Sequence, residues 1–145
     1  MTGAIDSGGP RIVVGLDGST SSIAALKWAA RQAEFIDARL DVVTAWQWPG
    51  KYEWMRTPPD FDPAGDIEEG VGPIIDEVRS AHPTVAIQSK VIEGHSARVL
   101  VEESQGAELL VVGSRGHGEF PGMLLGSVSQ QCVTSAHCAV VVLRE

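Results

Sequence analysis

Short, unbroken apolar runs recur along this chain, and each is followed by a turn and then, mostly, by apolar residues at helical spacing. Arg11-Ile-Val-Val-Gly-Leu-Asp17 is the first of them and shows no polar alternation. A run of this kind suits a strand covered on both faces, as in a parallel sheet. Gly18-Ser-Thr-Ser-Ser22 then supplies N-cap hydroxyls, and Ile23, Leu26, Ala30, Ala33 and Ile36 fall on one helical face. The unit repeats. Residues 40–46 and 85–92 read as strands two and three, and between them 66–81 reads as a helix whose first half is weakened by Gly70, Gly72 and Pro73. A third helix follows the turn Gly94-His-Ser96, with Ala97, Leu100 and Val101 on one face. Residues 108–113 read as strand four, Ser127 opens a fourth helix with Val128, Cys132, Ser135 and Ala136 on one face, and 139–143 reads as the last strand. Right-handed crossovers between such strands predict an α/β fold, a single-domain open parallel five-stranded sheet with helices on both faces. Ligands of these sheets bind outside the carboxyl ends of the strands, where the winding switches. The loops after strands one, two and four are therefore the candidate site.

A length of 145 residues suits one domain, placed at 11–145 and preceded by a flexible, glycine-rich arm at 1–10. With 43% hydrophobic and 21% charged residues, the composition excludes a disordered chain, and two cysteines exclude a disulfide scaffold. Cys132 and Cys138 match neither a C-x-x-C nor a zinc spacing. A net charge of −8 speaks against nucleic acid and against an anionic membrane surface as partners. No basic segment leads into an apolar stretch at the N-terminus, so the expected compartment is the cytoplasm. The connection 47–64, rich in Trp and Pro, is long for a compact domain. Binding loop, lid and disorder all stay open for it.

The chemistry concentrates in Gly113-Ser-Arg-Gly116-His-Gly118-Glu-Phe-Pro-Gly122-Met-Leu-Leu-Gly126-Ser127, between a buried strand and a helix start. Glycines let the backbone approach a ligand, and the N–H groups at the following helix N-terminus favour negative charge. The expectation is a phosphate cradle made largely of backbone, with Ser127 adding a hydroxyl. It is not a Walker P-loop, because none of Lys27, Lys51 and Lys90 stands in a G-x-x-x-x-G-K-[ST] setting. Nor is it the dinucleotide fingerprint, which belongs after the first strand, where this chain has Gly15-Leu-Asp17-Gly18.

The spacing Gly113-x2-Gly116-x9-Gly126-Ser127 resembles the signature of the nucleotide-binding subgroup of the universal stress protein family. Val-Val-Gly15-Leu-Asp17-Gly-Ser19, Val-Val-Gly113-Ser-Arg-Gly-His-Gly118 and Leu-Leu-Gly126-Ser-Val-Ser129 extend the resemblance over 11–144. It implies a Rossmann-like, adenine nucleotide alpha hydrolase-like fold and homodimers formed through the edge of the last strand, 139–143. It further implies that Gly15 and Asp17 lie beside the adenosine part of ATP and that the Ala45 backbone contacts adenine. Gly113, Gly116, Gly126 and Ser127 match positions around ribose and phosphates. Ser114, Arg115, His117, Gly118, Glu119 and Val128 lie in the same stretches and are secondary candidates.

Plainer readings stand beside these. Asp17 sits where it would also cap the first helix. Arg115 fits phosphate pairing and a solvated side chain equally well. Gly122 and Pro121 suit turn geometry, and Trp46, Trp48 and Trp54 suit packing as well as adenine stacking. His82, His95, His117 and His137 have no acid or nucleophile at a defined spacing, so none is given a catalytic role. Glu119 beside a polyphosphate leaves Mg2+ dependence open. With neither a Walker acid nor a paired carboxylate, the expected function is an ATP-binding regulatory module with little or no turnover. The alternatives are a slow ATPase, or a dimeric module with another adenine nucleotide, such as a cyclic one, or with no ligand.

Overall fold

The computed structural model describes residues 9–47, 62–115 and 125–144. Along them run β1 (Arg11–Gly15), α1 (Thr20–Ile36), β2 (Arg39–Trp46), α2 (Pro63–Ala81) and β3 (Ile87–Glu93). Then come α3 (Ser96–Glu103), β4 (Leu109–Gly113), α4 (Ser127–Ser135) and β5 (Ala139–Leu143). All neighbouring strands pair in parallel in the order β3-β2-β1-β4-β5. The chain therefore winds outward from β1 through β2 to β3, then crosses to β4 and β5 on the other side. The winding reverses between β1 and β4, which opens a crevice at their carboxyl ends.

Side chains alternate across the sheet, so each central strand feeds two cores. Ile12, Val14, Leu40, Val42 and Val111 face α1 and α2, whereas Val13, Val43, Leu110 and Val112 face α3 and α4. Unbroken apolar runs are what a doubly covered sheet requires, and β1 and β4 have fully buried centres.

The helices refine the expected faces. In α1 the buried seam is Ala25, Leu26, Ala29, Ala30 and Ala33, while Ile23 is only partly buried and Ile36 is 37% exposed. Small side chains let α1 lie close to the strands, and the bulkier isoleucines are left toward the edges of that seam. Ser19 is the N-cap, its Oγ accepting from the Ser22 N–H at 3.3 Å. Helix α2 starts at Pro63 rather than 66, because Asp62 accepts from the Gly65 N–H at 3.2 Å and Pro63 is preorganised for the first turn. It also runs unbroken through Pro73. Pro73 and Glu69 are both exposed, so the Glu69 carbonyl that loses its helical partner faces water. Strand β3 spans 87–93 rather than 85–92, since Val85 N–H is held by the His82 carbonyl in a turn. In α4 the buried residues are Ser129 and Cys132, and Ser135, expected on that face, is exposed.

Toward the amino-terminal half of the sheet, beneath α3, a charged cluster replaces apolar packing. Asp41, 1% exposed, receives Arg11 Nη1 at 3.2 Å and Lys90 Nζ at 3.4 Å, and Lys90 also meets Glu103 Oε1 at 3.1 Å. Arg11 Nη2 donates to the carbonyls of Glu103 and Gln105 at 2.9 and 2.8 Å. A cation on the carbonyls at and just beyond the end of α3 complements the helix dipole and fixes that end against β1. The opposite end of α3 is thereby aimed at the crevice.

Candidate functional site

A cavity of about 320 Å³ opens at the carboxyl ends of β1, β2 and β4, a size within the range of small-molecule sites. Gly15, Leu16, Val43 and Val112 supply its strand-end surface. On the β2 side stand Ala45 and, from α3, Ser96 and Leu100, while Gly113, Arg115 and the start of α4 line the β4 side. The entry to α1 contributes Asp17, Ser19 and Ser22. One side is thus largely apolar, and the other is backbone and hydroxyl.

Asp17 both borders the cavity and organises the entry to α1. Its Oδ1 accepts from Ser19 N–H at 2.8 Å and from Ser19 Oγ at 2.5 Å, and its own N–H donates to Ser22 Oγ at 3.2 Å. The side-chain cap on α1 is therefore Ser19, with Asp17 holding that serine in place.

Gly113 has a packing reason as well as a place on the wall. A Cβ there would come within 2.7 Å of the Ser21 carbonyl carbon and 2.8 Å of the Ser22 nitrogen. Only a residue without a side chain lets the first turn of α1 pack on the end of β4. Gly15 is tight in a milder way, since a Cβ would lie 3.0 Å from Leu100 Cδ1.

Ser114 is buried and supports the wall rather than lining it. Its N–H donates to the Leu143 carbonyl at 2.7 Å, and its carbonyl accepts from Gly126 N–H at 2.6 Å and from Ser129 Oγ at 3.0 Å. These bonds join the two ends of the loop at its base. Gly126 is the N-cap of α4 and offers no side-chain cap. First-turn N–H groups of a helix emerge from its end, so α4 presents them where Ser127, Val128 and Ser129 line the cavity.

The structure thus brings Gly15, Asp17, Ala45, Gly113, Arg115, Gly126, Ser127 and Val128 around one cavity. Gly116, His117, Gly118, Glu119, Pro121 and Gly122 lie outside the described residues, as do Trp48 and Trp54. Trp46 ends β2, where its carbonyl accepts from Gly94 N–H at 2.6 Å. Sequence reasoning missed Ser19, Ser22, Ser96, Leu100 and Ser129 as wall residues. Ser19 and Ser129 stood in the quoted motifs, but Ser96 and Leu100 reach the cavity only when α3 folds back over the sheet.

Among the described residues, the histidines and cysteines stand off the cavity wall. His82 Nδ1 meets Glu34 Oε1 at 2.8 Å between α2 and α1, and His95 and His137 are exposed. Burial pushes the Cys132 thiol up to about 11. Burial also raises the Cys138 thiol, with Glu108 adding to the rise and Arg11 opposing it. Among the described residues, no group of three or more His, Cys, Asp or Glu is placed to hold a metal ion, and no helix is long and apolar enough to cross a membrane.

The family model described as "Universal stress protein family" matches residues 10–144. The chain belongs to the universal stress protein family. Universal stress protein Rv2623 of Mycobacterium tuberculosis is 34% identical over 140 residues, covering 92% of this chain and 45% of that protein. Rv1996 of the same organism is 34% identical over 137 residues, covering 92% of this chain and 43% of its own length. The chain spans about half the length of the curated relatives it matches. Among solved structures, a universal stress protein in complex with cAMP superimposes with a TM-score of 0.69 at 29% identity, covering 93% of this chain and 96% of that one. UspA from Lactobacillus plantarum shares the fold at a TM-score of 0.71 and 19% identity, over 93% and 97% of the two chains.

Proposed function

We propose that this universal stress protein is an ATP-binding regulatory module of the cytoplasm, with little or no turnover. The observation that carries this reading is the division of the switch-point cavity into an apolar side at Val43, Ala45 and Leu100 and a backbone side at Gly113, Arg115 and the α4 N-terminus. An aromatic base suits the first, and an anion suits N–H groups and a helix end. The family relative solved with cAMP supports an adenine nucleotide as the ligand class. Slow turnover is expected because hydrolysis needs a positioned water and stabilisation of charge on the transferred group, and the described histidines stand apart from the cavity wall.

Titration with ATP, with and without Mg2+, tests the reading directly. Binding should saturate and raise the melting temperature, as for any ligand selective for the folded state. No calorimetric heat and no thermal shift at millimolar nucleotide would overturn it. Phosphate release should stay at background while ATP remains bound, and sustained release would favour the slow ATPase. The cAMP-bound relative favours a second reading, in which a cyclic adenine nucleotide is preferred. Competition between ATP and cAMP on the purified chain decides between them.

The same proposal includes a homodimer through β5. This strand is a sheet edge of sequence AVVVL, partly exposed along Val140 to Leu143, and such an edge is a template for pairing with another chain.

A further inference from the structure

We infer that Ser21 is a positioning residue for the phosphate end of this site, acting through the Arg115 peptide without touching the ligand. The inference rests on the nucleotide-binding reading above and adds a residue from the first helix to it. Ser21 is 0% exposed and lies behind the cavity wall. Its Oγ donates to the Arg115 carbonyl at 2.5 Å, and the Arg115 N–H approaches the same Oγ at 3.4 Å, across 94 positions of sequence.

A serine in the first turn of a helix ordinarily serves its own helix. Here that work is done by neighbours, since Ser19 Oγ accepts from Ser22 N–H and Ser22 Oγ donates to the Ser19 carbonyl at 3.0 Å. The Ser21 hydroxyl is spent on the loop instead. The contact exists because Gly113 has no side chain, which lets this turn of α1 come against the end of β4. On the far side, Ser129 Oγ holds the Ser114 carbonyl at 3.0 Å and the Gly126 N–H donates to that carbonyl at 2.6 Å. Two successive peptides of the cradle, at 114 and 115, are therefore pinned from opposite helices. The Ser114 N–H is turned to the Leu143 carbonyl and the Arg115 N–H toward Ser21, so these supports fix where this stretch of wall stands, and loosening one costs binding where that wall meets the ligand.

The test uses the full chain with Ser21→Ala and Ser21→Cys, titrated with ATP, AMP and adenosine, plus amide exchange over 113–116 without ligand. Loss of one buried hydrogen bond should weaken ATP and AMP by about 5–10-fold in Ser21→Ala. Adenosine, which makes no phosphate contact, should change by less than about 2-fold on the same grounds. Exchange at 113–116 should quicken, and Ser21→Cys, of similar size but a weaker donor, should fall between wild type and Ser21→Ala. If Ser21→Ala does not fold, the same comparison on Ser21→Cys decides. Equal losses for adenosine and ATP would reduce Ser21 to general stability, and unchanged ATP affinity would remove the role altogether. A wild-type chain that binds none of the three would overturn the nucleotide reading itself, and this inference with it.

Discussion

The two ends of the sheet solve different problems with different chemistry. Toward the amino-terminal half, Arg11, Asp41, Lys90 and Glu103 form a charged cluster that ties α3 to β1, β2 and β3. At the carboxyl ends, the wall is made of glycines, hydroxyls and a helix terminus, with Asp17 and Arg115 as its charged residues among those described. Charge pairs fix one geometry strongly, because an unpaired buried charge is costly. The α4 N-terminus leaves partial positive charge facing outward, and Arg115 stands on the same wall. The contrast bears on how a chain of net charge −8 would offer the proposed site to an anion: the overall acidity is a sum over the whole surface, whereas the proposed phosphate end would feel the peptide dipoles and the Arg115 cation local to the crevice.

The comparison can be broken most severely at the charged end. Asp41→Ala would take the shared carboxylate from Arg11 and Lys90, which keep the Glu103 and Gln105 carbonyls and the Glu103 carboxylate, and should cost about 1–3 kcal/mol in urea unfolding. Any ligand-induced rise in melting temperature should survive in the fraction that folds. A loss below about 1 kcal/mol, the range of exposed pairs, would show that the cluster holds little. At the other end the expectation inverts. Gly126→Val places a branched side chain at the α4 N-cap, so it should abolish the nucleotide-induced thermal shift while circular dichroism stays near wild type. Wild-type affinity in this variant would move the site away from α4. Gly116→Asp, outside the described residues, should behave alike.

The smallest effect expected belongs to the core between the two ends. Cys132 is buried against Val13, Leu110 and Val112, and its thiol is pushed from 9.0 up to about 11. Above pH 9 the unfolded thiol releases a proton that the folded one keeps, so the folded state binds more protons and stability falls as pH rises. The loss should accumulate between pH 9 and about 11. Cys132→Ala should flatten that slope in denaturant midpoints measured against pH, and an unchanged slope would assign it to other groups.

Element order was legible because it depends on local pattern. Doubly covered strands must be apolar throughout, and Ser19 and Gly94 mark turns into helices. The failures were also local in origin. Proline and glycine at 63, 65 and 70–73 read as loop or as a weak helix, yet Asp62 and Pro63 form a start signal and Pro73 loses only a water-facing bond. In α1, hydrophobicity favoured Ile23 and Ile36, whereas close packing on the sheet selected alanines. What pattern does not carry is pairing at long range. Asp41 passed as one polar residue in an apolar strand until Arg11 and Lys90 reached it. Ser21 passed as one hydroxyl among four until the Arg115 peptide arrived beside it. Glycine spacing pointed to two residues of the cavity wall, Gly113 and Gly126, but the supports behind that wall come from distant segments and have no linear signature.

The clearance at Gly113 bears on how the glycine spacing should be used as a marker. Any side chain at this position runs into the backbone of α1, whatever the crevice holds. A copy of this fold that had lost its ligand would still be obliged to keep Gly113. The first glycine of the spacing thus reports that the architecture is intact, whatever the crevice holds. A chain that keeps this glycine has kept the packing of α1 on β4, and that alone does not make it a nucleotide binder.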